Sequence, residues 1–195
     1  TRDSRLAYIS KTLAQNSPMN GDDGVFVLMI GESANRNFMS DYGYSKPTTP
    51  RQATLRTDPL AVVFDQVYSC HVITVQVLSL MLTDLNQYDG RKLSLTDSVS
   101  LIDIANYAGY RTRWFSNHEK VGKFTSAVSA IAAAASEKCF MENLRTPKKS
   151  VFSDAEMFDQ LELKFQPREL IIFHLFGSHT PYGIKIPADF SCPDG

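Results

Sequence analysis

The sequence predicts an α/β fold: a mostly parallel central sheet flanked by helices. Two short runs, residues 25–30 and 170–176, are almost continuously apolar, the pattern of strands covered on both faces. Stretches with apolar residues at helical spacing separate them, and apolar strands alternating with helices build parallel sheets. The chain has 195 residues and no internal repeat, enough for one domain with a sizeable core or for a large piece of a bigger one.

In chain order, residues 1–23 are polar, with Leu6, Ile9 and Leu13 at helical spacing ahead of the turn-forming Asn16-Ser17-Pro18 and Gly21-Asp22-Asp23-Gly24. This reads as a short amphipathic helix and a linker, leaving 24–195 as the main unit. Residues 25–30 form the first strand, and residues 60–64 are a second candidate. Val75, Leu78, Met81 and Leu82 then have helical spacing. Asp97 or Ser98 can cap a helix running through Leu101, Ile102, Ala105 and Ala108, which Gly109 stops. A strand over 110–115 and an alanine-rich helix over 126–135 come next. Ser153 and Glu156 make a capping box for a helix carrying Met157, Phe158 and Leu161. The last strand, 170–176, is interrupted only by His174.

A formal net charge of −1 gives no reason to expect nucleic acid as a partner. No apolar run approaches the roughly 18 residues that span a bilayer. The first residues lack the layout of a signal peptide, so an export signal or anchor would lie outside this chain. Cys70, Cys139 and Cys192 show no metal-finger spacing, and the sequence does not choose a disulfide pair.

Open α/β sheets bind ligands beyond the carboxyl ends of their strands. Three polar groups fall there. Glu32 comes just after the first strand; it is either a charge set against a helix N-terminus, which local evidence favours, or a metal ligand. Thr74 sits at a helix start, where threonine is usually an N-cap but where exposed amides would also suit a nucleophile. His179 lies on a loop after a Gly-Ser turn, and His174, within the strand, reads as a core histidine. Lys123 is a solvated lysine or a point charge for a phosphate.

These segments together resemble a known family. Val27-Leu-Met-Ile-Gly-Glu32-Ser-Ala-Asn-Arg36, then Asp41-Tyr-Gly-Tyr-Ser-Lys-Pro-Thr-Thr-Pro50, resembles the opening of the phosphoethanolamine transferases, in the alkaline phosphatase and sulfatase superfamily. Cys70-His-Val-Ile-Thr74 resembles the family's cysteine, three residues and nucleophilic threonine. His174-Leu-Phe-Gly-Ser-His179-Thr-Pro181 resembles its His-x-x-Gly-Ser-His-x-Pro. The resemblance implies that Glu32 is a zinc ligand, Thr74 both ligand and nucleophile, and His179 a group assisting catalysis and holding substrate. It implies that Asn117 and Lys123, with Lys120 as rival, bind phosphate.

The implied reaction is ping-pong: phosphoethanolamine passes from phosphatidylethanolamine to Thr74, then to a cell-surface glycan or lipopolysaccharide. The setting implied is the periplasmic face of the bacterial inner membrane, on a membrane-anchored parent. A sulfatase-like phosphodiesterase or phosphoglycerol transferase is the alternative enzyme, and a silent glycan- or partner-binding domain the alternative of another class. Two departures stand out. Val77-Leu78-Ser79-Leu80 replaces the family's Ser-Val-Pro-Cys, which points towards core-sugar or glucan acceptors rather than lipid A. The family's remaining Asp-His ligand pair, downstream of Gly-Ser-His, is not in this chain, which alone is therefore expected to bind zinc poorly.

Overall fold

Parallel strands with apolar sequences need cover on both faces, and the helices between them supply it. The computed structural model describes residues 2–15, 22–86, 88, 94–120, 126–141 and 153–179. Its strands β1 (Gly24–Ile30), β2 (Arg111–Ser116), β3 (Glu137–Phe140) and β4 (Arg168–His174) form one parallel sheet in the order β1-β4-β2-β3. The helices are α1 (Arg2–Ala14), α2 (Pro50–Ala53), α3 (Thr74–Met81), α4 (Leu101–Tyr107), α5 (Ser126–Ala132) and α6 (Asp154–Asp159). No helix among the described residues is long and apolar enough to cross a membrane.

The central strand β4 explains its own sequence. Leu170 and Ile172 pack with Trp114, Leu78, Ile102 and Ile131 against α3, α4 and α5. Ile171 and Phe173 point the other way, to Phe115, Met141 and Met157 of the α6 side. Each such side chain contributes about 1.5–3 kcal/mol when fully buried. Helix α1 rests on the body through Ile9, Leu13 and Val99.

Two expected caps differ in outcome. The Ser153–Glu156 box forms, with Ser153 Oγ accepting from the Glu156 amide at 3.2 Å and Glu156 accepting from the Ser153 amide at 2.8 Å. Helix α4 is capped not by Asp97 or Ser98 but by Ser100, because Asp103 lies where it can reciprocate. Asp97 and Ser98 belong instead to a 3-10 turn and its end. Gly109 does end α4, at φ +80°.

Three strand readings need correction. The run 25–30 is not buried on both faces: β1 is the sheet's edge, and Phe26 and Val27 are 57% and 52% exposed. It pairs with β4 alone, and only Leu28 and Ile30 reach the core. Residues 60–64 are a turn and irregular chain rather than a strand, with Leu60, Val62 and Phe64 exposed, because they have no strand to pair with among the described residues. Strand β3 was hidden by its charged, half-exposed edge sequence Glu137-Lys138-Cys139-Phe140. Cys70 and Cys139 are free thiols.

Candidate active site

The sheet register sets the site. Ile30 pairs with His174, which also pairs with Ser116, so β1, β4 and β2 end side by side. The loops leaving these three strands therefore meet. Glu32 comes off β1 on a turn whose next residue, Ser33, has φ 55°, a left-handed conformation that non-glycine residues rarely adopt. The β4 exit folds onto that turn: the Leu175 amide donates to Ile30 O at 2.9 Å and the Ser178 amide to Glu32 O at 3.0 Å. Only glycine fits between them, because a Cβ on Gly177 would lie 2.7 Å from Glu32 O.

Thr74 reaches the same place from α3. It is the first helical residue; Ile73 occupies the cap position, with no side-chain cap bond. The Thr74 hydroxyl is thus not an N-cap. It donates instead to Glu32 Oε1 at 2.8 Å, across 42 residues of sequence. Glu32 starts no helix of its own, but its carboxylate lies against the first residue of α3, so the helix-terminal charge and the contact with Thr74 are one arrangement. His179 Nε2 lies 3.6 Å from Glu32 Oε1. The expected convergence of Glu32, Thr74 and His179 is present: all three line one cavity of about 390 Å³.

Sequence reasoning left out His118, the second residue past β2. Its Nε2 stands 2.9 Å from Leu175 O and 3.0 Å from Glu32 Oε2. Both neighbours are acceptors, so this nitrogen carries a proton. The N–H is directed at the carbonyl; the Glu32 contact is close but poorly aligned, and Glu32 Oε2 is buried without a well-directed donor. The His118 ring is sandwiched between His174, at 4.1 Å and 15°, and Phe176, at 4.8 Å and 25°. The strand-end rule applied to β2 would have found it.

Electrostatics are set by this packing. Burial by itself would raise the Glu32 pKa; the contacts of His118 and Thr74 and the positive character of the His118 and His179 rings outweigh it and hold the carboxyl at about 2. His174, 3% exposed, is pushed down to about 3, first by burial and then by the neighbouring His118. It is a neutral imidazole at neutral pH. It is a core histidine as expected, but only half satisfied: Nδ1 meets Ser116 Oγ at 3.3 Å, while Nε2 has no partner among the described residues.

Two donor sets could hold a cation. Glu32, His118 and His174 bring ligand atoms within 4.8 Å of one another. Nitrogen lone pairs lie in the ring plane, however, and two stacked, nearly parallel rings cannot both aim at one ion. Glu32 and Thr74 fit better: their oxygens are already adjacent, and the carboxyl, held ionised, borders the cavity beside the hydroxyl.

The expected phosphate binders fare differently. Asn117 is 1% exposed and its side-chain amide donates to Asp154 Oδ1 at 2.9 Å, so it faces the protein and not the cavity. Lys120 comes two residues after His118, on the surface; its carbonyl accepts from Ser129 Oγ at the cavity wall. Lys123 lies outside the described residues, as do Thr180 and Pro181.

A parallel α/β sheet with a carboxylate and a hydroxyl meeting past its strands defines an enzyme-like scaffold, and its class is now plain. The chain belongs to the sulfatase family, whose model matches residues 25–193. Within it, the chain is similar to phosphoethanolamine transferases. It is 32% identical to phosphoethanolamine transferase EptC of Escherichia coli O18:K1:H7, over 87% of this chain and 30% of that protein. It superposes on the crystal structure of the C-terminal periplasmic domain of EptC from Escherichia coli, in complex with Zn, with a TM-score of 0.70 at 29% identity, covering 86% of this chain and 47% of that one. The integral membrane protein lipooligosaccharide phosphoethanolamine transferase A of Neisseria meningitidis gives 0.69 at 25% identity, over 91% and 33%. The chain spans about a third of the length of the curated relatives it matches.

Proposed function

We propose that the parent protein transfers phosphoethanolamine from phosphatidylethanolamine to a hydroxyl or phosphate of a cell-surface glycan or lipopolysaccharide, through a covalent intermediate on Thr74. One observation carries this reading: a threonine hydroxyl, capping nothing at a helix start, donates at 2.8 Å to a buried carboxylate inside a cavity bordered by a histidine. The phosphoethanolamine transferases among the relatives support it.

The residues divide the work. A carboxyl held at about 2 is too weak a base to take the Thr74 proton at neutral pH, so Glu32 orients the hydroxyl instead. Zinc is the proposed ion, held by Glu32 and Thr74; when bound it would lower the hydroxyl pKa and offset charge on the phosphoryl group. The Thr74 oxygen, its proton lost to solvent, attacks phosphorus and the bond to the diacylglycerol oxygen breaks. That oxygen takes a proton from His179. An acceptor hydroxyl then returns a proton to His179 as it bonds to phosphorus, and the threonine oxygen leaves and is reprotonated. Lys123 or Lys120 would steady the phosphoryl oxygens.

In this reading residues 24–195 are the N-terminal part of a sulfatase-like catalytic domain, and residues 1–23 lead to it from a membrane-anchoring region. The periplasmic face of the inner membrane is the proposed location, in line with the solved relatives. Mass spectrometry of the metal-loaded parent after incubation with phosphatidylethanolamine tests it. A phosphoethanolamine adduct on the Thr74 peptide is expected. A different phosphoryl adduct would point to a phosphodiesterase or phosphoglycerol transferase, and no adduct would favour a silent binding domain.

A further inference from the structure

Asp154, the first residue of α6, faces two loops rather than its own helix. The helix start is already capped by Ser153 and Glu156. The Asp154 carboxylate accepts three other donors: Asn117 Nδ2 at 2.9 Å and the Phe176 amide at 2.8 Å on Oδ1, and the Gly177 amide at 2.9 Å on Oδ2. Asn117 is the residue before His118, and its own amide donates to His174 O at 3.0 Å. Phe176 and Gly177 lead directly to His179. One carboxylate therefore ties the exit of β2 to the exit of β4.

The tie extends to the carboxylate in the cavity. Gly177, at φ 53°, lies so close to Glu32 that a Cβ would meet its backbone at 2.7 Å. The next amide, Ser178, donates to Glu32 O at 3.0 Å. Phe176 at the same time stacks under His118. A shift of the 176–177 segment thus moves His118, His179 and Glu32 together. Bonds to an ionised acceptor are roughly twice as strong as neutral ones, which suits a clasp between loops.

We infer that Asp154 is a positioning residue, which sets the loops bearing His118 and His179 against Glu32 without touching substrate. Asparagine tests this with little change of volume. In Asp154→Asn the remaining carbonyl oxygen can serve Asn117 and Phe176, but the new amide group sets a donor against the Gly177 N–H. Ser153→Ala is the control, since it weakens the same helix without touching the clasp.

Backbone hydrogen exchange by NMR reads the outcome. In the wild-type chain the Phe176 and Gly177 amides are expected to be protected. In Asp154→Asn the Gly177 amide should exchange about tenfold faster or more, with shifted ring signals for His118 and His179, while Ile171 and Ile172 keep their protection. Ser153→Ala should leave Gly177 protected. An unprotected Gly177 in the wild type overturns the clasp and needs no variant to fold. So does an unchanged Gly177 in Asp154→Asn, or an equal loss in Ser153→Ala. The positioning role also rests on the transfer reading above. In a transfer-active parent, Asp154→Asn should lower kcat with little change in KM for the lipid, and an unchanged kcat alongside lost protection overturns it. Lack of transfer by the wild type would count against the transfer reading alone, since the exchange result is independent of it.

Discussion

The two ends of the sheet both bury charge, and they dispose of it differently. Towards the amino ends of β2 and β4, Arg113 and Glu169 are almost wholly inaccessible, at 4% and 0% exposed. Arg113 grips Glu137 at 3.0 and 3.2 Å, and Arg111 reaches Glu137 at 2.6 Å and Glu169 at 3.4 Å. The hydrogen bonds from Arg113, joined by the charges of Arg113 and Arg111, outweigh the opposing effect of burial and hold Glu137 below the usual carboxylate range. The atoms left without hydrogen bonds there, Arg113 Nη1 and Glu169 Oε1, face each other at 3.7 Å. At the carboxyl ends, Glu32 Oε2 and His174 Nε2 are left over as well, but their residues line a cavity. Buried charge alone does not mark a site. The difference lies in the surroundings: the arginine–glutamate cluster is closed inside the sheet, whereas Glu32 and His174 belong to the wall of a cavity that a ligand can enter.

Four experiments put that contrast to the test. The largest effect is expected at the cavity: Thr74→Ala should lower transfer by a parent protein by about 10⁴-fold or more, abolish the Thr74 adduct, and leave the thermal midpoint nearly unchanged. Wild-type turnover in that variant would remove the nucleophile assignment. At the other end, Arg113→Met removes the paired guanidinium from Glu137, leaves the buried Glu169 with Arg111 as its one charged neighbour among the described residues, and should cost about 3–5 kcal/mol of stability in urea unfolding, while adduct formation per folded molecule is retained. Comparable loss of activity without loss of stability would reverse the roles of the two ends.

The third experiment uses pH. The folded-state pKa of His174, about 3, lies below its ordinary value of 6.5, so below pH 6.5 the unfolded chain binds the proton that the folded chain refuses. Stability should therefore fall with falling pH, by up to about 1.4 kcal/mol per unit, until the pH nears the folded value. Glu32, lowered from 4.5 to about 2, adds its loss only within that lower window. Unfolding midpoints of wild type and His174→Asn between pH 5 and 6.5 separate the two; a slope that survives the substitution would show another group at work. The smallest effect is expected for Gly177→Ala, where a Cβ close to the Glu32 backbone and a left-handed φ should cost about 1–3 kcal/mol. A stability within error of wild type would show that the β4 exit does not rest on the Glu32 turn as tightly as the contact implies.

Much of the site was legible because strand ends are legible. An apolar run stops where its residues stop needing cover, and Glu32 and His179 lie just past such stops. His118 was harder to see because β2, Arg111-Thr112-Arg113-Trp114-Phe115-Ser116, is a polar-looking strand whose end draws less notice. Asp154 carries no signal in the sequence beside the Ser153–Glu156 box, and Asn117 was expected to bind phosphate; the hydrogen bond between them instead joins one to the other.

The fold class, most of its strands and helices, the Ser153 cap and the position of Glu32, Thr74 and His179 beside strand or helix ends can be read from the residues alone. Those come from periodicity, side-chain volume and local hydrogen bonding, which act over a few residues. The 2.8 Å contact of Thr74 with Glu32, the stacking of His118 between His174 and Phe176, and the contrast between the exposed edge β1 and the similarly apolar but buried β4 emerge in three dimensions alone. An apolar run states that it needs cover. Which neighbours supply that cover depends on strand order and register, and these come from pairings between residues far apart in the chain.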